Sequence, residues 1–189
     1  MTIEHIRRAV AMHARVAADP GDGPPLIAAA VLLPVVCAGH EPSLLLTRRT
    51  DTVETHKGQI AFPGGMVDET DRDRVHTAVR EAEEELGIPP GAVETIGMLD
   101  DLSTPTGFTI TPVVGLLRTL PALRLSQAEV AEAFTVPLSF FADPANAERE
   151  LRVFRGVTRE VWTYRYEGRV IWGATGTIIH RFMDTLLSR

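Results

Sequence analysis

Two apolar runs restrict what this chain can fold into more than any other feature. Residues 26–36 (LIAAAVLLPVV) and 43–49 (SLLLTRR) carry aliphatic side chains with little polar alternation, the pattern of strands buried within a sheet. A Gly/Pro turn at CAGHEP separates them. Pro34 withholds a ladder donor from the first run, which predicts an edge position or a bulge there. Further strands follow in VETIGMLDDL and FTITPVVGLLR, joined by an STPTG turn, and LRVFRG with REVWTYRYEGRVI predicts a closing hairpin.

Helical periodicity fills the intervals. Ile3, Ile6, Val10, Ala14 and Ala17 predict an amphipathic helix over residues 3–17, broken by the linker DPGDGPP. A second helix is predicted over 71–86, stopped by Gly87 and then Pro89-Pro90. SQAE at 126–129 has the form of a capping box, with Ser126 capping and Glu129 reaching back, and predicts a short helix. A last helix is expected over 174–188, from the spacing of Ile178, Ile179, Phe182 and Leu186. Residues 50–71 are polar and contain glycine, and they read as a long loop of the kind that usually serves function. Strands interleaved with helices point to an α/β or α+β sandwich. With 189 residues, the simplest division is a helix and linker over 1–25 packed on one domain over 26–189.

Composition narrows the function classes. A net charge of -6 argues against a general nucleic-acid-binding surface. The single cysteine, Cys37, has no partner for an internal disulfide and lies in an apolar run, so it reads as a small buried hydrophobe. No stretch reaches the roughly 18 apolar residues of a membrane span. The charged start lacks a signal-peptide core and LLSR is no peroxisomal address, so the expectation is a cytoplasmic protein with no membrane partner.

The helix over 71–86 carries the chemistry. REAEEELG, residues 80–87, stacks Glu81, Glu84 and Glu85 at i, i+3 and i+4, where like charges cost roughly 0.2–0.5 kcal/mol per pair. At about 100° per residue, Val75, Ala78, Val79, Ala82 and Leu86 form an apolar stripe, and the three glutamates fill the arc beside it. Glu83 projects to the solvent flank with His76. Glutamate is a good helix former, and a wet helix accumulates it for that reason alone. These three, however, border the buried stripe, and they sit in the C-terminal half, where the helix dipole disfavours anions. Oxygen donors without histidine or cysteine suit a hard dication, Mg²⁺ or Mn²⁺. Just upstream, AFPGG places Pro63 before Gly64-Gly65, bare backbone that can approach a phosphate or offer a carbonyl to a metal.

These residues match a known pattern. GGMVDETDRDRVHTAVREAEEELGI resembles the Nudix box, G-x5-E-x7-R-E-U-x-E-E-x-G-U with U apolar, and its second half fits from Arg80 through Ile88. The first half departs: Asp71 replaces the first glutamate, and eight residues instead of seven separate it from Arg80. That departure resembles the coenzyme A pyrophosphatase branch, whose longer signature runs L-L-T-x-R and then H-x-G-Q-x-A-F-P-G-G-x-x-D-x-x-D. Here it reads Leu45-Leu46-Thr47-Arg48-Arg49 and HKGQIAFPGGMVDETD from His56 to Asp71, with Val53-Glu54 where the branch has leucine and arginine. GFTITPVVG and VIWGATGTII also look like later parts of that branch, so the likeness covers roughly residues 26–180.

The resemblance implies an α/β/α sandwich with a central mixed sheet and a catalytic loop-helix-loop. It implies metal-dependent hydrolysis of coenzyme A or acyl-CoA to 3′,5′-ADP and 4′-phosphopantetheine, or else of ADP-ribose, a dinucleotide or a nucleoside triphosphate. A Nudix-like regulator that only binds nucleotides is a third reading. Glu81 and Glu85 would be metal ligands, Glu84 would share a metal or orient water, and the Gly64 carbonyl would add a ligand. Arg80 would orient the glutamates by an ion pair. Glu129 and Glu132 are candidates for the general base. Arg48, Arg49, His56, Lys57, Gln59 and Gly65 would contact substrate, in a monomer or homodimer.

Overall fold

The computed structural model describes residues 1–18, 25–51, 57–154 and 156–188. The first helix, α1 (Ile3–Met12), is capped by Thr2, whose hydroxyl accepts the His5 amide at 3.2 Å. It buries Ile6 and Val10 and stops short of the predicted Ala17. The cause lies across the chain. Asp100 accepts the Val16 amide at 2.8 Å, while Asp101 accepts the Ala18 amide and both Nη2 contacts of Arg15. These bonds satisfy the segment without a further helical turn.

The strands β1 (Ile27–Val36), β2 (Ser43–Arg49), β3 (Ile60–Ala61) and β4 (Gly64–Met66) precede helix α2 (Arg74–Leu86). Strands β3 and β4 thus break up the segment predicted as one long loop. After α2 come β5 (Glu94–Met98), β6 (Leu102–Ser103), β7 (Phe108–Leu117), β8 (Val130–Pro137) and the short α3 (Leu138–Ala142). The chain closes with β9 (Ala147–Phe154), β10 (Val157–Tyr166), β11 (Arg169–Ile171) and α4 (Gly173–Leu187). The expected closing hairpin is β9–β10, extended by β11 into a three-stranded sheet.

The main sheet is mixed. Its order is β3-β2-β1-β7-β5, with β8 on β2, β4 on β1 and β6 on β7. Among the described residues, only β1 and β7 run parallel. Alternate residues of β1 feed opposite layers, as strand geometry requires. Ala30 and Leu32 meet Ala78 and Ala82 of α2, while Leu33 and Val35 join Phe182, Ile179 and Ile178 of α4 and Ile6 of α1. Helices therefore cover both faces, which is why residues 26–36 show little alternation.

Two expectations are corrected. Pro34 lies in a central strand, not at an edge. The Leu32 amide bonds Pro63 O at 2.9 Å, so the missing donor two residues on faces the same side. There β1 has left β4 at Val31 and meets β2 only at Val35, and no partner awaits a donor. The capping box at 126–129 opens no helix. The Glu129 and Val130 amides both bond Ser126 O, making one turn that leads straight into β8. From Val130 onward the backbone groups pair with β2, and that long-range ladder overrides the local signal. Cys37 is half-buried against the core, and burial pushes its thiol up. Among the described residues, no helix is long and apolar enough to cross a membrane.

Candidate active site

Strands β1 and β2 pair only through Val35↔Leu44 and Val36↔Ser43, then splay apart. Strand β3 follows β2 and β4 follows β1 into the wedge, so the Phe62-Pro63 corner delivers Gly64 and Gly65 beneath α2. No side chain fits at either glycine. A Cβ on Gly64 would stand 2.5 Å from Ala30 O, and one on Gly65 would stand 2.4 Å from a Glu81 carboxylate oxygen. The bare backbone is what lets the carboxylates of α2 come down onto the strand. The Gly64 amide lies on the Glu85 side and eases that carboxylate's charge, the smallest of the influences on it.

Helix α2 starts at Arg74 because Asp73 caps it, accepting the His76 amide at 2.8 Å. Gly87 ends it at φ 67, as the sequence predicts. Beyond that cap, the Glu85 and Leu86 carbonyls accept the amides of Ser126 and Arg124 at 2.9 and 2.8 Å. The turn bearing Glu129 is thereby tied to the end of the acidic helix.

The glutamates are less alike than their spacing suggests. Glu85 is only 3 % exposed, and Glu81 is half-buried beside Gly65. Glu84 is 58 % exposed, and Glu83 faces solvent as predicted. Burial pushes the Glu85 carboxyl up to about 8, with further upward pressure from the charges of Glu129 and Glu81. Arg49, whose Nη1 is 3.9 Å away, offsets only part of this. Burial also raises Glu81, against the pull of Arg80. The three expected to converge are thus a buried Glu85, a half-buried Glu81 and an outlying Glu84, with Glu129 close enough to act on the first two.

Arg80 links them, through a residue that the sequence shows only as the helix start and as a departure from the box. Asp71 accepts Arg80 Nε and Nη2, both at 3.0 Å, and its side chain has no exposed surface. From that anchor Arg80 Nη1 reaches Glu81 at 2.9 Å and Glu84 at 3.1 Å. Arg80 holds the Asp71 carboxyl far below the usual range. His76 Nδ1 also lies 2.9 Å from Asp71, so it belongs to this network and not to the solvent flank. The shorter acid at 71 is no lesion in the pattern, because it seats Arg80.

The expected substrate residues divide. Arg49 stands toward Glu85, but Arg48, one position earlier, points to the opposite face of the sheet. There Arg48, Lys57 and Gln59 line a cleft of about 620 Å³. Glu132 is on that face too, with Arg48 Nε at 3.3 Å and Arg169 Nη2 at 2.5 Å, and these hold its carboxyl below the usual range. It lies away from the acids of α2. A register shift in the β2–β8 ladder, where Arg48 pairs Glu132 but Arg49 pairs Val130, returns Val130 to the α2 side against Leu45 and Leu86. Gly65 lies against Glu81, while His56 and its neighbours Val53 and Glu54 fall outside the described residues. Sequence reading missed Arg169 and Trp172, which complete the cleft more than 100 positions after Arg48.

Among the described residues, no three acidic, histidine or cysteine side chains are gathered as a ready-made ion site. The donors still fit a hard dication. They are oxygens only, and a buried Glu85 beside Glu81 and Glu129 calls for more positive charge than Arg49 provides.

The NUDIX domain family model matches residues 26–160. The chain is 45% identical over 153 residues to the uncharacterized Nudix hydrolase NudL of Photorhabdus laumondii, covering 81% of each chain. It is 44% identical over 152 residues to the NudL of Escherichia coli, covering 80% of this chain and 78% of the relative. Among solved structures, the fold is similar to a Nudix hydrolase of M. smegmatis, RenU (TM-score 0.52, 22% identity, 65% of this chain and 84% of that one). It is also similar to DR0079 of Deinococcus radiodurans (TM-score 0.53, 16% identity, 87% of each chain).

Proposed function

The chain belongs to the Nudix family, and from that premise we propose that it hydrolyses the diphosphate of coenzyme A or acyl-CoA. The observation that carries this reading is the cleft: Gly58 and Gln59, two fixed residues of the coenzyme A signature, line one cavity with Arg48 and Lys57, which fill its open positions. Its size, about 620 Å³, is within the range of pockets that bury ligands of this class.

In this reading Glu81 and Glu85, with the Gly64 carbonyl, hold the divalent cations on which Nudix hydrolases depend. Bound cations supply Lewis acidity, neutralising the charge of the diphosphate and lowering the pKa of the attacking water. The chain does the rest. Gly64 and Gly65, without side chains, let β4 lie close against β1 and let the Glu81 carboxylate come down onto it. Arg80, fixed by Asp71, keeps Glu81 from swinging away and leaves Glu84 at the rim to orient water. Glu129, facing Glu81 and Glu85 and tied to α2 through Ser126, takes the water proton. Glu132 is the poorer base, since two arginines occupy its carboxylate on the far face. Arg80 is spent on Asp71, Glu81 and Glu84, so Arg49, 3.9 Å from Glu85, is the cation to meet the diphosphate.

The test is a competition of substrates. With Mg²⁺ and, in parallel, Mn²⁺, kcat/KM is measured for coenzyme A, acetyl-CoA, NADH, ADP-ribose and deoxynucleoside triphosphates. The coenzyme A compounds are expected to lead. Preference for any other substrate overturns the assignment, and absence of turnover on all of them favours a nucleotide-binding module.

A further inference from the structure

The cleft beside Arg48 is built from two distant parts of the chain. Arg48, Lys57 and Gln59 come from the β2–β3 region, and Glu167, Arg169 and Trp172 from the C-terminal sheet and its exit. We propose that it is the subsite for the 3′-phosphorylated nucleoside end of the substrate, with Arg169 and Trp172 as its specificity-determining residues. This rests on the coenzyme A reading.

Charge is the first argument. Three cations, Arg48, Lys57 and Arg169, meet two carboxylates, Glu132 and Glu167, in a chain whose net charge is -6. Glu132 spends both oxygens on the two arginines. Lys57 has no ion-pair partner among the described residues, so the excess positive charge resides there. Arg169 is fixed beside it: its guanidinium lies 4.4 Å from the Phe134 ring centroid, Nη2 bonds Glu132, and Nη1 holds Glu167 only at 3.4 Å. A rigid arginine whose outer nitrogen is so loosely engaged suits a phosphomonoester.

The turn that presents Arg169 is the second argument. Tyr166 pairs with Arg169, leaving Glu167-Gly168 as a two-residue hairpin loop at φ 47 and 78. Among the described residues, Glu167 is the only non-glycine at positive φ. Such loops favour Asn, Asp or Gly, so a glutamate there is a local strain retained where it lines the cleft beside Arg169.

The third argument is shape. Trp172 is 37% exposed and gives the cleft one aromatic wall, a platform for a planar base. The two ends of coenzyme A differ in what they offer. The pantetheine arm has neither a dianion nor an aromatic plane, so these cations and this indole would gain nothing from it. The 3′-phosphoadenosine end has both. Arg48 and Arg49 are consecutive at the end of β2, the first lining the cleft and the second beside Glu85, so the two sites lie on opposite faces of one strand end and one extended molecule can serve both.

Calorimetry on the metal-free protein tests this without turnover. Adenosine 3′,5′-bisphosphate is expected to bind at least about tenfold tighter than adenosine 5′-monophosphate, the worth of one charged hydrogen bond. Arg169→Ala should cut that preference to roughly twofold, and Trp172→Ala should weaken both nucleotides together. Lys57→Ala, at an exposed position, should also cut the preference and serves if Arg169→Ala fails to fold. Equal binding of the two nucleotides by the wild type, or an undiminished preference in folded Arg169→Ala and Lys57→Ala, overturns the subsite. Discrimination here without turnover of coenzyme A would refute the proposed function and leave the subsite standing. Turnover without discrimination would do the reverse.

Discussion

The two faces of the sheet at its β2–β8 edge carry opposite imbalances of charge. Toward α2, Arg80 is taken up by Asp71, Glu81 and Glu84, Glu85 has Arg49 at 3.9 Å against the charges of Glu129 and Glu81, and that buried acid is driven toward its neutral form. Toward the C-terminal sheet, Arg48 and Arg169 share Glu132, and Lys57 is left over. One face lacks cations and the other has them to spare, yet the residues that decide this are neighbours in sequence. Strand periodicity sends Arg48 and Arg49 apart, and the register shift opposite them separates Val130 from Glu132. A substrate with a diphosphate at one end and a phosphomonoester at the other needs such a division. On the proposed reading the acidic face draws its positive charge from bound metal, whereas the basic face carries its own.

The hardest test of the contrast is Glu85→Gln. Turnover should fall roughly 10³-fold or more, as expected for loss of a metal ligand. The metal-free protein should keep its stability near neutral pH and gain some above about pH 8, because a neutral amide replaces a buried carboxyl that resists ionising. A variant that retains activity would remove the acidic centre as proposed.

Asp71→Asn comes next. It leaves Arg80 without its buried anchor, and denaturant unfolding should show a loss of roughly 2–4 kcal/mol, allowing for the partial exposure of Arg80. Turnover should drop with it, since Glu81 loses its brace. A loss below about 0.5 kcal/mol would mean Arg80 is held by something else.

A pH titration of stability separates the faces further. Glu85 binds its proton more tightly folded than unfolded, so its contribution is greatest below about pH 4.5 and is lost as pH rises toward about 8. Asp71 and Glu132, held low by arginine, contribute above the ordinary carboxylate range and lose that contribution in acid. Melting of the metal-free protein between pH 5 and 8 should therefore decline, and the decline should vanish in Glu85→Gln or with saturating Mg²⁺. An equal decline in that variant would place the titrating group elsewhere.

Glu83→Gln should do least. Its side chain faces solvent, so stability should move by less than about 0.5 kcal/mol, with turnover and the Mg²⁺-induced rise in Tm intact.

Much of this was legible in the sequence. The buried strands and α2 stand out because periodicity is local, and the sidedness of Glu83 followed from geometry at about 100° per residue. What stayed hidden depends on distant partners. The capping box at Ser126 is a genuine local signal that the β2 ladder overrules. Pro34 is harmless in a central strand only because β1 changes partners beside it. Asp71 looked like a departure from a motif until its contact with Arg80 gave it a purpose. Nothing near Arg169 in the sequence announces that Arg48 will face it, and a strand's period alone does not reveal the shift that separates Glu132 from Val130.

The bonds from Arg124 and Ser126 to the last carbonyls of α2 have a consequence in time. The run from Leu120 to Leu125 has no helix or strand of its own, and such a segment would ordinarily exchange its amide protons with water quickly. Two of its neighbouring amides are lent to the helix, and they exchange only when the end of that helix lets go. They therefore act as a clock on the acidic site: their exchange rates register each opening that separates Glu129 from Glu85.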